Sequence, residues 1–343
     1  MTLRSIAPAL LVLVLAASSC TRSASEDTTT TTEAVPAFDE DRCREVAVGI
    51  VDTMQSFVDR YAGADLGEVS AAGFEGIDEL EAEVERARSE AAAEGCIDLL
   101  LQPILAAELE RLQGEGAVGR QLVRFLRGDP SPAEMPAVEV TVTGGMDLAA
   151  VLDGAGSGST ITIEAGEHLV DELLVVDRPL TIRGTGTAAI VSSAPGAAVL
   201  LADGAALSLS NVAITHTGTS PASVIVALGG SLTMEGVEVS GGVQDPETGA
   251  DGHGLAIVAA DAGAPPSVMV SDSRFTGNER MGVAVFGDAA PNIVASEASD
   301  NGVCGICFFD ESQGRVTGTL VTGNGLGIVA GGAAMPSIWE NTV

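Results

Sequence analysis

Leu209-Ser-Asn-Val-Ala-Ile, Met234-Glu-Gly-Val-Glu-Val, Val270-Ser-Asp-Ser-Arg-Phe, Ile293-Val-Ala-Ser-Glu-Ala, Val316-Thr-Gly-Thr-Leu-Val and Ile338-Trp-Glu-Asn-Thr-Val align without gaps, starting 25, 36, 23, 23 and 22 residues apart. The first and sixth positions are mostly apolar, and the third is Asn, Asp, Gly or Ala in five of the six. Asn278, Asn301 and Asn324 follow at intervals of 23, and Gly282, Gly305 and Gly327 each open a further apolar run. Short apolar runs broken by turn residues at a fixed period of about 22 residues describe one coil of a β-solenoid with three strands. A single coil cannot bury its inner face, so stacking supplies the core. Asn suits a repeated turn because it tolerates the left-handed conformation and can bond to its copy one coil away. The fixed Leu spacing of leucine-rich repeats is missing, and a propeller blade needs about 40 residues.

The pattern extends upstream. Val138-Glu-Val-Thr-Val alternates with period two, Asp147 to Leu152 reads as a short helix, and Thr160-Ile-Thr-Ile, Leu173 to Val176 and Leu180-Thr-Ile read as strands. Gly158-Ser-Thr-Ile-Thr-Ile-Glu-Ala-Gly-Glu-His and Arg178-Pro-Leu-Thr-Ile-Arg-Gly-Thr-Gly resemble the opening of pectin-lyase-like right-handed β-helix proteins. The resemblance covers residues 138–343 and implies an all-β, right-handed parallel β-helix whose first coil is capped by the 147–152 helix. The last segment stops at Val343 in mid-coil, so the expectation there is a fragment or a protein partner on an uncapped coil.

Upstream of this domain the spacing is helical. Val46, Ile50, Met54, Phe57 and Tyr61 mark one buried face; Ile77, Leu80, Val84 and Ala87 mark a second. Cys96 to Leu112 reads as a third helix that Pro103 should kink or split, and Val118, Leu122, Val123 and Phe125 as a fourth. These place a small helical bundle over 38–128, joined by a Pro-rich linker over 129–137. Glu79, Glu81, Glu83, Glu85 and Glu90 read as a solvated face. Arg4, the apolar run Ile6 to Ala17 and the small residues before Cys20 make residues 1–20 an export signal. Leu15-Ala-Ala-Ser-Ser-Cys20 resembles a bacterial lipobox, although Ala17 stands where that family prefers Leu; the resemblance implies lipidation of Cys20. The Thr/Ser-rich stretch 21–37 reads as a disordered tether. The expected location is the outer face of the cell membrane, held by a lipid anchor. An oxidising compartment favours the disulfides Cys43–Cys96 and Cys304–Cys307. The second lies on a turn entering a strand, where Gly305 must fold the chain for the bridge to close.

With 48 acids against 16 bases, all of them Arg, the net charge of −32 excludes nucleic acid as a partner. The 36-residue interval exceeds its neighbours by about 13 residues, placing a loop at Gly241 to Gly254 that carries Asp245, Glu247, Asp251 and His253. Asp245, Glu247 and Asp251 are candidate Ca²⁺ ligands. Asp245, Asp251 and His253 are candidates for acid–base chemistry. Gly252-His-Gly254 resembles the Gly-His-Gly of polygalacturonases, but the other motifs of those enzymes are missing. Asp310 and Glu311 are candidates to share the loop's face. The expected function is binding of a glycan or another envelope polymer without catalysis. The alternatives are a polysaccharide-cleaving hydrolase or lyase, and a protein-interaction scaffold.

Overall fold

The computed structural model describes residues 40–61, 74–130, 134–202, 204–259 and 264–343. Cys20 and the 21–37 tether lie outside them. Contacts divide the chain into two units, Met1–Ser131 and Pro132–Val343.

In the first unit, α1 (Glu40–Asp59) buries Cys43, Ala47, Ile50, Val51, Met54, Phe57 and Val58, a stripe at helical spacing. It packs against α2 (Ile77–Ala93), α3 (Asp98–Leu109) and α4 (Gly116–Arg127). Cys43, in the first turn of α1, is bridged to Cys96 just ahead of α3, with Cα atoms 5.5 Å apart. α3 runs through Pro103 without splitting, with Pro103 on its exposed side. The end of α3 is closed by Arg127 of α4, whose guanidinium donates to the carbonyls of Leu109 (3.0 Å), Glu110 (2.9 Å) and Leu112 (2.7 Å). Gly128, at φ 70°, ends α4 in the left-handed conformation. Glu79, Glu83, Glu85 and Glu90 are exposed and Glu81 is half-buried.

The second unit is a parallel β-helix of three sheets. The first has nine strands, from Glu139–Val142 to Ser337–Trp339. The second has seven, from Gly166–Val170 to Leu320–Thr322, and the third seven, from Leu174–Val176 to Leu326–Ala330. Leu209, Met234, Val270, Ile293, Val316 and Ile338 stack in register through the first sheet. The third position of each repeat makes the turn to the second sheet with positive φ: Asn211 51°, Gly236 64°, Asp272 49°, Ala295 49°, Gly318 62° and Glu340 56°. The shared backbone geometry explains the shared composition. One residue past the next turn, Asn301 Oδ1 accepts from the Asn278 amide N–H (3.2 Å) and Nδ2 (2.9 Å), while its own Nδ2 donates to Asn324 Oδ1 (2.8 Å).

Ala295 is exposed yet left-handed, so its Cβ is strained and makes no compensating core contact. Ala295→Gly is expected to stabilise the β-helix by about 0.5–1 kcal/mol, after allowing for glycine's extra unfolded-state entropy. Denaturant unfolding checks it; a lower midpoint at unchanged slope contradicts it.

At the amino-terminal end, α5 (Leu148–Gly154) buries Leu148, Ala149 and Leu152 over the first coil. Asp147 caps it by accepting from the Ala150 N–H at 3.1 Å. Arg178 closes its other end, donating to the carbonyls of Leu152 and Ala155. The third sheet is apolar on both faces. Leu255, Ile257, Val283, Val285, Ile306 and Phe308 point into the solenoid core, whereas Met281, Ala284, Cys304 and Cys307 form a separate cluster with Phe286, Phe309 and Val329. Residues alternate across a strand, so Ala284, Phe286, Cys307 and Val329 lie on the outer face, and Met281 and Cys304, at the first positions of their strands, join the same cluster.

Candidate functional site

The extra residues of the long coil fall in two places. Val239 and Leu255 are 16 apart where the equivalent Phe275 and Val283 are 8 apart, and Leu255 and Val270 are 15 apart where Val283 and Ile293 are 10 apart. The loop before Leu255 is therefore shorter than the full excess, and the remainder lies after Val258. This loop is also more ordered than its glycines imply: Val243 pairs with Ala222, and Gln244 with Asp251, in antiparallel bridges.

That folding gives the loop's acids different surroundings, while Asp245 still acts on Asp251 through its charge. Asp245 sits at the tip and serves the turn itself, accepting from the Glu247 N–H at 2.8 Å and from Thr248 Oγ1 at 2.5 Å. These bonds hold its carboxyl below the usual range, the Thr248 hydroxyl first. Asp251 returns the chain to the sheet at φ 56° and is half-buried, 3.4 Å from the Ser223 hydroxyl. Burial raises its pKa; the Ser223 bond and the Arg280 charge oppose the rise.

His253 is 4 % exposed, and its Nδ1 has no hydrogen-bond partner. Its ring centroid lies 6.0 Å from that of Phe286, which stacks at 5.3 Å and 13° on Phe309 one coil further. Burial, helped by the Arg280 charge, lowers the pKa of His253 to about 4, so the ring is neutral at pH 7. Arg280 is the residue that sequence reasoning missed. Its amide donates to the Gly252 carbonyl at 2.9 Å, which puts it directly over the Gly252-His253 step. A Cβ on Gly252 would sit 3.1 Å from the Arg280 Cγ. The signal was in the repeat: Gly254 and Gly282 share a position, so Gly252 and Arg280 must as well.

Other expectations are corrected. Asp245, Glu247 and Asp251 do not assemble as Ca²⁺ ligands, because Asp245 is engaged in its turn and Asp251 faces Ser223; among the described residues no three His, Cys, Asp or Glu side chains gather as a metal site. Of Asp245, Asp251 and His253, the last two share the loop's base, while Asp245 bonds within the loop's tip and reaches Asp251 through its charge. Asp310 and Glu311 follow the strand Cys304–Phe308, whereas Asp251 precedes the strand Leu255–Val258, so the two groups stand at opposite ends of the third sheet. Asp310 instead accepts from the Gly287 N–H at 3.0 Å. Cys304 and Cys307 are bridged, but within a strand, not on a turn. Their Cα atoms are 6.3 Å apart against roughly 10 Å for full extension, so the strand itself bends at Gly305. The four remaining arginines of the unit are structural: Arg178 caps α5, Arg183 donates to the Thr162 hydroxyl, Arg274 lies between Glu238 and Glu297, and Arg315 covers the Trp339 ring.

What converges is a polar corner of Ser223, Asp251, His253 and Arg280 beside an apolar ledge. The ledge carries Val226, Val258, Phe286 and Phe309, all half-buried, and Leu228 at 42 % exposure.

Residues 185–343 match the family model for the right handed beta helix region. A search of curated proteins finds no match. Among solved structures, the chain is similar to the structure of the PL6 family alginate lyase AlyGC, at 15 % identity and a TM-score of 0.29 over 63 % of this chain and 41 % of that one. The unit that carries Asp251, His253 and Arg280 is a parallel β-helix, and residues 185–343 of it match the right handed beta helix region.

Proposed function

We propose that the β-helix binds a glycan or another envelope polymer along the outer face of its third sheet, without cleaving it. The observation that carries this reading is the aromatic and aliphatic ledge running across successive coils and ending at Arg280 and Asp251. Stacked coils repeat the ledge along the solenoid axis, which suits a ligand that is itself a repeat. Phe286 and Phe309 offer apolar surface to sugar C–H faces, and Arg280 and Asp251 offer a donor and an acceptor at one end. Arg280 forms no ion pair among the described residues, so its donors remain available to a ligand. His253 is ill-suited to proton transfer near pH 7, because burial keeps it neutral and closes it to solvent.

Phe309→Ala and Arg280→Ala should each weaken retention on cell-wall polysaccharide roughly tenfold, or about 1.4 kcal/mol, in affinity electrophoresis or calorimetry. No reducing ends or unsaturated sugars should appear. The convergence of Asp251 with Arg280 favours one second reading, a polysaccharide lyase or hydrolase. Release of sugar that Asp251→Asn abolishes, with the fold intact, would establish that reading in place of the first.

The proposal includes export and a lipid anchor at Cys20, supported by the apolar run Ile6 to Ala17 and by two disulfides downstream. Cys20→Ala is expected to move the protein from the membrane fraction to the soluble one; unchanged membrane association contradicts the anchor.

A further inference from the structure

The ledge on the third sheet is apolar without interruption. Val226, Ala256, Ala284, Cys307 and Val329 stand in register on successive coils and form one row of the outer face. The next row runs Leu228, Val258, Phe286 and Phe309. Neither row contains a hydroxyl, amide or charged side chain, and the backbone beneath is committed to the parallel ladder. Phe286 and Phe309 stack at 5.3 Å and 13°, so each turns a face to the other rather than to a sugar ring. Gly331 lies against Phe309, where an added Cβ would meet the ring at 3.4 Å.

A ligand seated on these rows is therefore alkyl where it touches them. Sugar hydroxyls pressed on the same floor would lose water without gaining a partner. The polar groups are gathered at the corner of Arg280 and Asp251, and the His253 ring, 6.0 Å from Phe286, joins corner to ledge. A ligand that matches both parts has a sugar at one end and a hydrocarbon chain at the other. We infer that the β-helix recognises a glycan that carries a fatty acyl chain. The ester carbonyl accepts from Arg280, a sugar hydroxyl donates to Asp251, and the chain lies across Val258, Phe286 and Phe309. From Leu228 to Phe309 the ledge crosses about 14 Å, which covers a chain of medium length. This inference rests on the polymer-binding reading above and names the part of the polymer that the ledge holds.

The test titrates the full chain with sucrose monolaurate, below its micelle threshold, by calorimetry. It also compares retention of cell-wall polysaccharide before and after mild alkaline deacylation. Saturable binding of the monolaurate is expected, with sucrose monoacetate at least tenfold weaker, and alkali should remove most of the retention. Leu228→Ser and Phe309→Ala should each weaken monolaurate binding severalfold or more. Met269→Ser removes a side chain 51 % exposed on the first sheet and should change nothing. Equal losses in Leu228→Ser and Met269→Ser mean general adsorption of a detergent and overturn the inference, as does monoacetate that binds like monolaurate. Polysaccharide retained equally after alkali overturns the acyl chain and leaves the polymer reading standing. Polysaccharide not retained even before alkali overturns the polymer reading, and this inference with it.

Discussion

Replacing Cys43 and Cys96 together by Ala is expected to destabilise the helical unit by about 4 kcal/mol. The bridge joins residues 53 apart in sequence, and closing a loop of that length removes roughly this much from the free energy of the unfolded chain's disorder. Both cysteines are buried, at 0 % and 2 % exposure, so Ala rather than Ser avoids adding an unpaired hydroxyl. A helical unit of this size has a small core, and its stability rests heavily on such a constraint. The thermal transition of the helical unit should fall by roughly 15 °C or more, while the β-helix transition stays in place. Cys304–Cys307 closes a ring of a few residues and should contribute less, about 2 kcal/mol on the same reckoning. A double Ala variant at Cys43 and Cys96 that melts like the parent would show that packing of α1 against α3, not the bridge, sets the stability.

The difference between the two bridges also marks what a sequence can disclose. Turn residues are legible because backbone conformation restricts composition. Asn211, Gly236, Asp272 and Gly318 announce a left-handed position, and they fix the register of the rest. Ala295 and Glu340 occupy the same conformation without its usual residues, and only their place in the repeat reveals them. The faces of the third sheet are another matter. A parallel strand covered on both sides reads as an unbroken apolar run. Cys304-Gly-Ile-Cys-Phe308 is buried throughout, so composition does not tell that Ile306 and Phe308 point inward and Cys307 outward. The ledge was hidden for this reason. Arg280 was hidden differently: its neighbours in space are one coil away, visible only once Gly254 is set beside Gly282. Coil number alone does not tell that Asp310 follows its strand whereas Asp251 precedes its own. The acids of the 241–254 loop resembled a cation site because sequence gives proximity but not hydrogen bonds, and Thr248 already holds Asp245.

The second large effect is a loss of β-helix stability on acidification that traces to His253. Its folded pKa is about 4, below the ordinary value of 6.5 that it regains on unfolding. Between those values the unfolded chain binds a proton that the folded one refuses. Stability is therefore fully present above pH 6.5 and declines as pH falls toward 4, by about 3 kcal/mol in total. His216 is buried too, with its pKa lowered for the same reason, and adds in the same direction. Asp251 acts oppositely. Burial raises its folded pKa above 3.8, so the folded state takes up its proton first and regains some stability near the acid end of the window. His253→Met removes the titrating ring and keeps an apolar side chain in register with Met281 and Ser223, its neighbours in the stack. Denaturant unfolding at pH 7.5, 6.0, 5.0 and 4.5 should show the parent weakening steeply below pH 6.5. The His253→Met protein should weaken much less and become the more stable of the two at pH 4.5. Parallel curves for the two proteins would mean that the ring is protonated in the folded state, and that the loop over it opens to water.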